Sequence, residues 1–362
     1  MREPFSGSWP RRDKTASHAA ALVKAHLRQR QRHSQQLLAS LAPLLHGIDN
    51  QRLLALANRQ VVAIFYGWGE RVHRRQYNQP PLRYNGGMKV DLHCHTRHSD
   101  GELDAPALLA LAAEREIALL AITDHDSLGA HDELAASGEP DNGVKLLPGI
   151  ELSTSWRGRG VHIVGLNIDP ANKQLRAGIA QQQTARERRA EIIDQRLAKL
   201  GFANTLAGAR QRAANGFIGR PHFAAELVAR GVVKDHNAAF KKYLGAGKAG
   251  DIKEQWADLA TVAEWITAAG GQAVLAHPDK YQLTRTKLCE LLDDFTGVGG
   301  TAMEVVSGNQ THAASTKLAQ LCRQFDLLAS SGSDYHGPSL PWASLGNQPA
   351  LPGGLDAVWE QF

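Results

Sequence analysis

The residues of this chain with the clearest capacity for chemistry stand in the run DLHCHTRHSDG, residues 91–101. Alternate side chains of an extended strand share one face, so His93 and His95 should point together while Cys94 points away. Two imidazoles on one face can chelate a single metal ion, and Asp100 follows in the loop, within reach of a neighbouring ion. Because two histidines can also share a strand by chance, the rest of the chain must decide.

Further potential ligands stand at or near the ends of other apolar runs. They are His125 in ITDHD, Glu151 in PGIELS, His162 in VHIVG, His277 in LAHP, and Asp334 and His336 in SGSDYHG. With the first motif this makes six histidines and three carboxylates. Such ligands without thiolate favour manganese, iron or zinc, and nine are too many for one ion. The sequence therefore predicts two or three metal ions. Asp124 and Asp126 could be further ligands or could orient a ligand histidine.

Short apolar runs that are typical of strands carry these residues and alternate with helical patterns from Met88 onward. The runs are KVDLHCH, IALLAIT, VKLLPGIEL, VHIVGLNI, GQAVLAHP, TAMEVVSG and LLASSGSDYH. Such alternation indicates a β/α barrel or a doubly wound sheet. In a barrel of parallel strands, the carboxyl ends of the strands meet on one face. We therefore expect the potential ligands to converge there.

An Arg-rich helical pattern at residues 171–253 interrupts that alternation, and we interpret it as a cap inserted into a barrel formed by residues 88–170 and 254–362. QQQTARERRAEIIDQRLAKL predicts one helix with a face of apolar residues turned inward, namely Ile192, Ile193, Leu197 and Leu200. A second helix is predicted from Pro221, a residue favoured in a first turn.

Four basic residues of this cap are candidates for binding a substrate phosphate: Arg220, His222, Arg186 and Arg189. Backbone N–H groups at a helix start and basic side chains both favour an anion. Ordinary solvent exposure is the alternative for the arginines, and it is nearly as strong for Arg186 and Arg189.

Charge is distributed unevenly along the 362 residues. Residues 171–253 hold 16 Lys and Arg against 6 Asp and Glu, and residues 1–87 hold 14 against 4. The remaining residues hold 11 against 26. An acidic, histidine-rich body suggests a cation site, and basic attachments suggest a polyanionic substrate such as a phosphate ester or nucleic acid. The alternative is a set of solvated helix faces.

Composition excludes several classes of protein. No stretch approaches the ~18 uninterrupted apolar residues of a membrane-spanning helix, which argues against a membrane protein. Only 3 cysteines occur, and the N-terminal residues lack the apolar core of a secretory signal. We therefore expect a cytoplasmic protein. Residues 1–87 carry no motif of their own, and Met88 opens the first strand pattern, so we expect translation to begin there. The alternative is a basic arm that binds nucleic acid.

In their order along the chain, DLHCHTRHSDG, TDHD, PGIE, AHP and SGSDYH resemble the polymerase-and-histidinol-phosphatase (PHP) family. The resemblance runs from Met88 to about Gly346. It implies a distorted seven-stranded β/α barrel with a trinuclear metal centre. GRPHFA, FKKYLGAGK, QW, AGGQAVLAHP and EVVSG are similar to a bacterial branch of 3′,5′-nucleoside bisphosphate phosphatases and 5′→3′ exoribonucleases of the RNase AM type.

The resemblance also implies how three ions would be shared. The first would be held by His93, His95, Glu151 and Asp334, the second by Glu151, His162 and His277, and the third by Asp100, His125 and His336. Manganese is the ion that the resemblance favours, although the spacing does not separate it from iron or zinc.

The resulting hypothesis is a phosphoesterase that hydrolyses 5′-phosphorylated RNA, 3′,5′-nucleoside bisphosphates, or both. A hydroxide bridging two cations stays ionised near neutral pH and can attack phosphorus in line with the leaving oxygen. We expect Asp100 and His336 at the reacting centre, and either His336 or a metal-bound water could protonate the leaving group. The alternatives are a histidinol-phosphatase type of phosphomonoesterase, a nucleic-acid-binding module with structural metals, and C–N bond hydrolysis.

Overall fold

Seven strands form one sheet in the order in which they occur in the sequence. The computed structural model describes residues 88–138, 142–213, 217–252, 256–339 and 344–362. The strands are β1 (Val90–Cys94), β2 (Leu119–Ile122), β3 (Lys145–Trp156), β4 (Arg159–Leu166), β5 (Gln272–Leu275), β6 (Ala302–Ser307) and β7 (Leu328–Gly332). The backbone that follows β7 returns to β1, since Asp334 N donates to His93 O at 2.8 Å and His95 N donates to Tyr335 O at 2.8 Å. The sheet is nearly closed, which confirms the predicted seven-stranded barrel.

One strand runs against its neighbours. β4 pairs antiparallel with β3 and with β5, whereas the other paired strands are parallel. Arg157 and Gly158 join β3 to β4, and their φ values of 48° and 71° suit a tight hairpin turn. The expectation of parallel strands throughout is wrong here, because a two-residue turn leaves no room for a crossover helix. The reversal places the start of β4 beside the carboxyl ends of the other strands.

Nine α-helices occur in the described part of the chain. They are α1 (Ala105–Glu114), α2 (Gly129–Ser137), α3 (Lys173–Ala198), α4 (Thr205–Arg212), α5 (Arg220–Ala229), α6 (His236–Ala239), α7 (Leu259–Ala268), α8 (Arg285–Gly297) and α9 (His312–Gln324). Side-chain caps fix several starts, as where Asp258 accepts from Thr261 N at 2.8 Å. Every helix among the described residues is too short or too polar to span a bilayer.

Helix α3 belongs to two apolar clusters. Its first half contributes Leu175 and Ile179 to the cluster shared with β3–β6 and α7–α9. Its second half contributes Ile193 and Leu197 to a separate cluster with α4–α6. Leu200, which the sequence pattern turned inward, is 51% exposed because the helix has already ended. The long helix therefore holds its middle turns at the junction of the two clusters.

The start of α3 lies very close to α7. A Cβ on Gly178 would lie 2.4 Å from the ring of Trp265, so only glycine permits this approach. The division into a barrel and a cap at residues 171–253 stays a prediction, and the predicted extension over residues 1–87 lies outside the described residues.

Candidate metal centre and anion site

The structure brings all nine predicted metal ligands to one place. Their potential ligand atoms form overlapping groups within 4.8 Å, which are His95, Asp100, His125 and His336; His93, Glu151 and His277; His93, His95 and Asp334; and His125, Glu151 and His162. The strands explain the convergence, because β1, β2, β5 and β7 each lead into a ligand at the same face. The sharing among three ions remains a prediction, and these groups are compatible with it.

Glu151 lies at the middle of this cluster. Its Oε1 is 2.9 Å from His162 Nδ1 and 2.9 Å from His277 Nε2. Its Oε2 is 2.9 Å from His125 Nδ1 and 3.2 Å from His93 Nε2. The expectation that Glu151 ends its strand is wrong, because β3 continues to Trp156 as one arm of the hairpin.

His93 and His95 share a face, with their Nε2 atoms 3.1 Å apart. Asp334 Oδ1 lies 3.4 Å from His93 Nε2 and 3.3 Å from His95 Nε2. Cys94 turns away and donates from Sγ to Ala121 O at 3.2 Å. Two ring nitrogens and a carboxylate oxygen thus face one another, an arrangement that suits a shared cation.

An outer group is built around Asp100, whose Oδ1 is 3.4 Å from His336 Nε2 and 3.9 Å from His125 Nε2. His336 Nδ1 donates to the backbone oxygen of Asp334 at 2.9 Å. Against the effect of burial, Asp100 raises the pKa of His336 to about 9, so this ring can carry the positive charge that pairs with Asp100. The neutral ring, which keeps its proton on Nδ1, would present Nε2 to a metal.

Several buried polar atoms of the cluster make no hydrogen bond. They are Asp100 Oδ1, His125 Nδ1, Glu151 Oε2 and His277 Nδ1. The 2.9 Å approach of His125 Nδ1 to Glu151 Oε2 is therefore an ion-pair contact without hydrogen-bond alignment. An unpartnered buried polar atom costs about 1–3 kcal/mol, and a bound cation removes that cost for an acceptor. The donor set thus fits metal ions that prefer imidazole and carboxylate ligands.

Protonation of the cluster is mixed. Against the effect of burial, neighbouring carboxylates raise the pKa of His93 and of His125 and raise that of His336 to about 9, so metal binding at these three rings would release protons.

Burial lowers the pKa of His95 to about 3 and that of His162 to about 4. Burial opposes ionisation of Glu151, but His125, His93 and His162 hold the pKa of Glu151 well below its ordinary value. Neutral imidazoles and ionised carboxylates are the forms that bind metal.

Glu304, in the middle of β6, positions ligands and was missed by the sequence analysis. It is buried, and its Oε1 lies 2.5 Å from His93 Nδ1 while its Oε2 accepts from His277 N at 2.6 Å. A carboxylate on Nδ1 fixes the tautomer that presents Nε2 to a metal. The sequence feature that could have identified Glu304 is that it is the single charged residue inside the apolar run TAMEVVSG.

Asp124 and Asp126 orient the loops around the centre. Asp124 accepts from Thr96 N at 2.7 Å and from Ser99 Oγ at 2.5 Å, which fixes the loop between His95 and Asp100. Burial raises the pKa of Asp124 to about 6. Asp126 accepts from Ser153 N at 2.8 Å and also pairs with Arg186. Of the two roles left open for these residues, the contacts favour orientation.

Three arginines stand beside the metal centre on the helical segment. Arg186 and Arg189 of α3 are only 7% and 8% exposed, so solvent exposure is not the explanation for either. Arg186 packs over Phe217, with 4.2 Å between its Cζ and the ring centroid. Arg220, the first residue of α5, donates from Nη1 to Leu244 O at 3.3 Å. Helix α3 thus places two buried guanidinium groups at one site.

Arg189 has the most incomplete surroundings of the three. Its Cζ lies 5.3 Å from the ring centroid of Trp256, and its buried Nε makes no hydrogen bond. It has no ion-pair partner among the described residues. Burial, followed by the neighbouring charges of Arg220 and Arg186, lowers the pKa of Arg189 well below its ordinary value. A buried, unpaired positive charge is costly. Arg186, Arg189 and Arg220 together form an arginine wall that is suited to an anion.

His222 lies in the first turn of α5, at the helix start where the sequence placed it, and its part in phosphate binding stays a prediction. Its Nδ1 accepts from Gly219 N at 3.0 Å, which ties the residue to the start of α5. It is not among the residues that line the cavity, whereas Gly219 and Arg220 are. The contact of His222 is therefore one that caps the helix.

One cavity of about 750 Å³ joins the two sites. Asp100, His125 and His162 line one side of it, and the other side is lined by Arg186, Arg189 and Arg220. A ligand in this space would contact the metal centre and the arginine wall together.

Comparison with known proteins agrees with this geometry. Residues 91–272 match the family model named PHP domain. A 5′-3′ exoribonuclease of Haemophilus influenzae is 40% identical over 274 residues, which cover 76% of this chain and 99% of that protein. A 3′,5′-nucleoside bisphosphate phosphatase of Chromobacterium violaceum is 41% identical, with 75% of this chain and 96% of that protein covered.

A solved structure shares the fold as well as the sequence. It is described as an amidohydrolase from Chromobacterium violaceum with bound sulfate and no metal, and it is 41% identical to this chain. The match has a TM-score of 0.71 and covers 75% of this chain and 95% of that one. The sequence, the barrel and the converging ligands lead to one conclusion: this chain belongs to the PHP-domain family.

Proposed function

We propose that this protein is a metal-dependent hydrolase of phosphate esters that acts on 5′-phosphorylated RNA in the 5′→3′ direction and on 3′,5′-nucleoside bisphosphates. The observation that carries the proposal is the single cavity in which a nine-ligand centre faces buried arginines. Relatives at 40% and 41% identity are named for these two activities. In both reactions a phosphorus leaves a ribose 3′ oxygen, so one site can serve both.

We propose manganese as the resident metal, with three ions held by the nine converging residues; iron and zinc also suit this donor set. Bound there, the ions would supply an ionised water as nucleophile and offset the charge that grows on the phosphate oxygens. We assign the reacting centre to Asp100 and His336. Asp100 lines the cavity, and the side chain of His336 is 16% exposed beside it.

The arginine wall would bind the phosphate that does not react. Arg189 and Arg220 offer guanidinium groups without a carboxylate partner among the described residues. The backbone at the start of α5 adds little, because Pro221 has no N–H and His222 N already donates to Gly219 O at 3.1 Å.

Arg186 is already paired with Asp126, next to His125. That pairing would fix the distance between the bound 5′-phosphate and the reacting centre.

The wall also distinguishes this proposal from the alternatives. A phosphomonoesterase of the histidinol-phosphatase type has no second phosphate to offer Arg189. A binding module with structural metals would close its metal sites, whereas Asp100, His125 and His162 open into the cavity. All three cysteines are free thiols, which agrees with our proposal of a cytoplasmic location.

The decisive experiment is manganese-supplemented hydrolysis of a short 5′-phosphorylated RNA, beside the same RNA without the 5′-phosphate and beside a 3′,5′-bisphosphonucleoside. We expect mononucleotides from the 5′-phosphorylated RNA and inorganic phosphate from the bisphosphonucleoside. Faster hydrolysis of histidinol phosphate than of either substrate would contradict the proposal.

Variants of the centre separate an enzyme from a binding protein. We expect Asp100→Ala and His125→Ala to lower turnover by more than ~100-fold. Loss of a residue that only orients a metal ligand already lowers metal affinity or activity by about 10–100-fold. RNA binding should persist in both variants, because the arginine wall is intact. Full turnover in both would contradict the site assignment.

A further inference from the structure

The hairpin of β3 and β4 extends past the strands on either side of it. β2 pairs with β3 only as far as Pro148, and β5 pairs with β4 only from Ile163 onward. Beyond these positions β3 and β4 pair with each other as far as Trp156 and Arg159. A two-stranded ribbon therefore runs outward from the metal centre.

Apart from His162, the cavity side of this ribbon carries small residues. Ser153 lies opposite His162, and Ser155 lies opposite Gly160. These four residues share one face, because alternate residues of a strand point the same way, and all four line the cavity. A Cβ on Gly160 would meet nothing within 4 Å. An open trough thus leads away from His162.

The turn at the end of the trough carries two arginines that also line the cavity. Arg157 is neutralised by Glu290 and Asp294.

By strand alternation Arg159 leaves β4 on the face opposite to Gly160 and His162. It is exposed and reaches the cavity beside Tyr281, to whose backbone O its Nη1 donates at 3.2 Å, and it has no carboxylate partner within the described ranges. Arg189, buried and without an ion-pair partner among the described residues, lines the same cavity. Arg159 therefore adds a second unpaired positive charge to this cavity.

We infer that this ribbon is the track for the part of the RNA that lies 3′ of the reacting phosphate. The inference rests on the proposed function and adds the binding surface for a single-stranded polynucleotide. Arg159 lies three residues from His162, or about 10 Å at ~3.4 Å per residue, so it reaches phosphates beyond the reacting one. A mononucleoside bisphosphate ends at the reacting phosphate and does not reach Arg159.

The test compares Arg159→Gln with the wild type on a 3′,5′-bisphosphonucleoside, a 5′-phosphorylated dinucleotide and a 5′-phosphorylated decanucleotide. We expect kcat/KM to be unchanged on the bisphosphonucleoside and to fall about threefold to fivefold on the decanucleotide, as for an exposed charge pair. The salt dependence of decanucleotide binding should become shallower by ~0.7 in log–log slope, the loss of one phosphate contact. The control is Arg285→Gln, an exposed arginine of α8 that bonds Gln324 and lies outside the cavity.

Two outcomes would overturn the inference: an equal loss on all three substrates, or no loss on the decanucleotide. Binding of fluorescent RNA to the metal-free protein distinguishes this failure from failure of the proposed function. Binding that grows with RNA length and weakens in Arg159→Gln, without RNA hydrolysis by the wild type, retains the track and refutes the exoribonuclease. Hydrolysis of RNA by the wild type, with binding that does not depend on RNA length, retains the exoribonuclease and refutes the track.

Discussion

The two sides of the cavity have opposite electrostatic deficits. On the barrel side, carboxylates and imidazole nitrogens face one another, as His93 Nε2 and His95 Nε2 do at 3.1 Å. On the helical side, the guanidinium groups of Arg186, Arg189 and Arg220 stand together with one carboxylate partner, Asp126, among the described residues.

On the barrel side Lys280 pairs with Asp334, but Asp100 and Glu151 have no lysine or arginine partner among the described residues. The helical side lacks an anion.

The difference shows what kind of ligand completes each side. Ions at the barrel side and a phosphate at the helical side would satisfy both, because an anion attracted by one wall is also attracted by cations on the other. Each side of the cavity, without its ligand, lowers the free energy of unfolding. This is typical of a site maintained for binding rather than for stability. Variants that act on one wall alone should separate the two contributions.

Among variants that leave all nine predicted ligands in place, the largest effect is expected for the barrel side, from Glu304→Gln. The amide offers one acceptor where the carboxylate offers two, so it cannot satisfy both His93 Nδ1 and His277 N. We expect manganese affinity to fall about 10–100-fold, as for other residues that orient metal ligands. Titration of the metal-free protein with manganese measures this, and Glu264→Gln on the exposed side of α7 is the control. An unchanged affinity with a lower Tm would reduce Glu304 to a structural role.

Arg189→Met should separate function from stability on the helical side. Loss of a hydrogen bond to a charged group is worth about 1.5–3 kcal/mol, so kcat/KM for a 3′,5′-bisphosphonucleoside should fall at least ~10-fold. Hydrolysis of a nucleoside 3′-phosphate that lacks the 5′-phosphate should be unchanged. Urea unfolding of the metal-free variant should show greater stability, because an unpaired buried charge has been removed.

The matched control for Arg189→Met is Arg196→Met, an exposed residue of the same helix. It should leave both substrates unaffected. If Arg189→Met lowers stability and slows both substrates equally, the arginine wall is part of the core rather than a phosphate site.

The smallest effect is expected where the two sides are joined, from Gly178→Ala. Alanine favours a helix by about 1 kcal/mol over glycine, so helix propensity alone predicts stabilisation. The added Cβ would collide with Trp265, and we expect a net loss of about 1–3 kcal/mol in the free energy of unfolding. Urea unfolding measures it, with the exposed Ala177→Gly as control, which should lose about 1 kcal/mol. A gain in stability for Gly178→Ala would contradict the close packing of α3 on α7.

The local sequence pattern was sufficient to predict where the potential metal ligands lie. It was insufficient to predict whether the arginines are buried. A strand alternates its side chains whatever surrounds it, so the shared face of His93 and His95 could be predicted from spacing. The polar residues at the ends of successive apolar runs likewise predicted that the potential ligands converge. Arg186 and Arg189 were left between substrate contact and solvent exposure, because helical spacing does not say what covers a helix. Their burial became evident only when α3 was seen to join two apolar clusters.

The sequence by itself determined the seven strands, the nine converging potential ligands and the membership of the PHP family, because each depends on residue type and short-range spacing. Only the tertiary structure decided the reversal of β4, the part played by Glu304 and the unpaired state of Arg189. Each of these depends on residues distant in the chain, and the free energy of a buried charge is set by whichever groups the fold places around it.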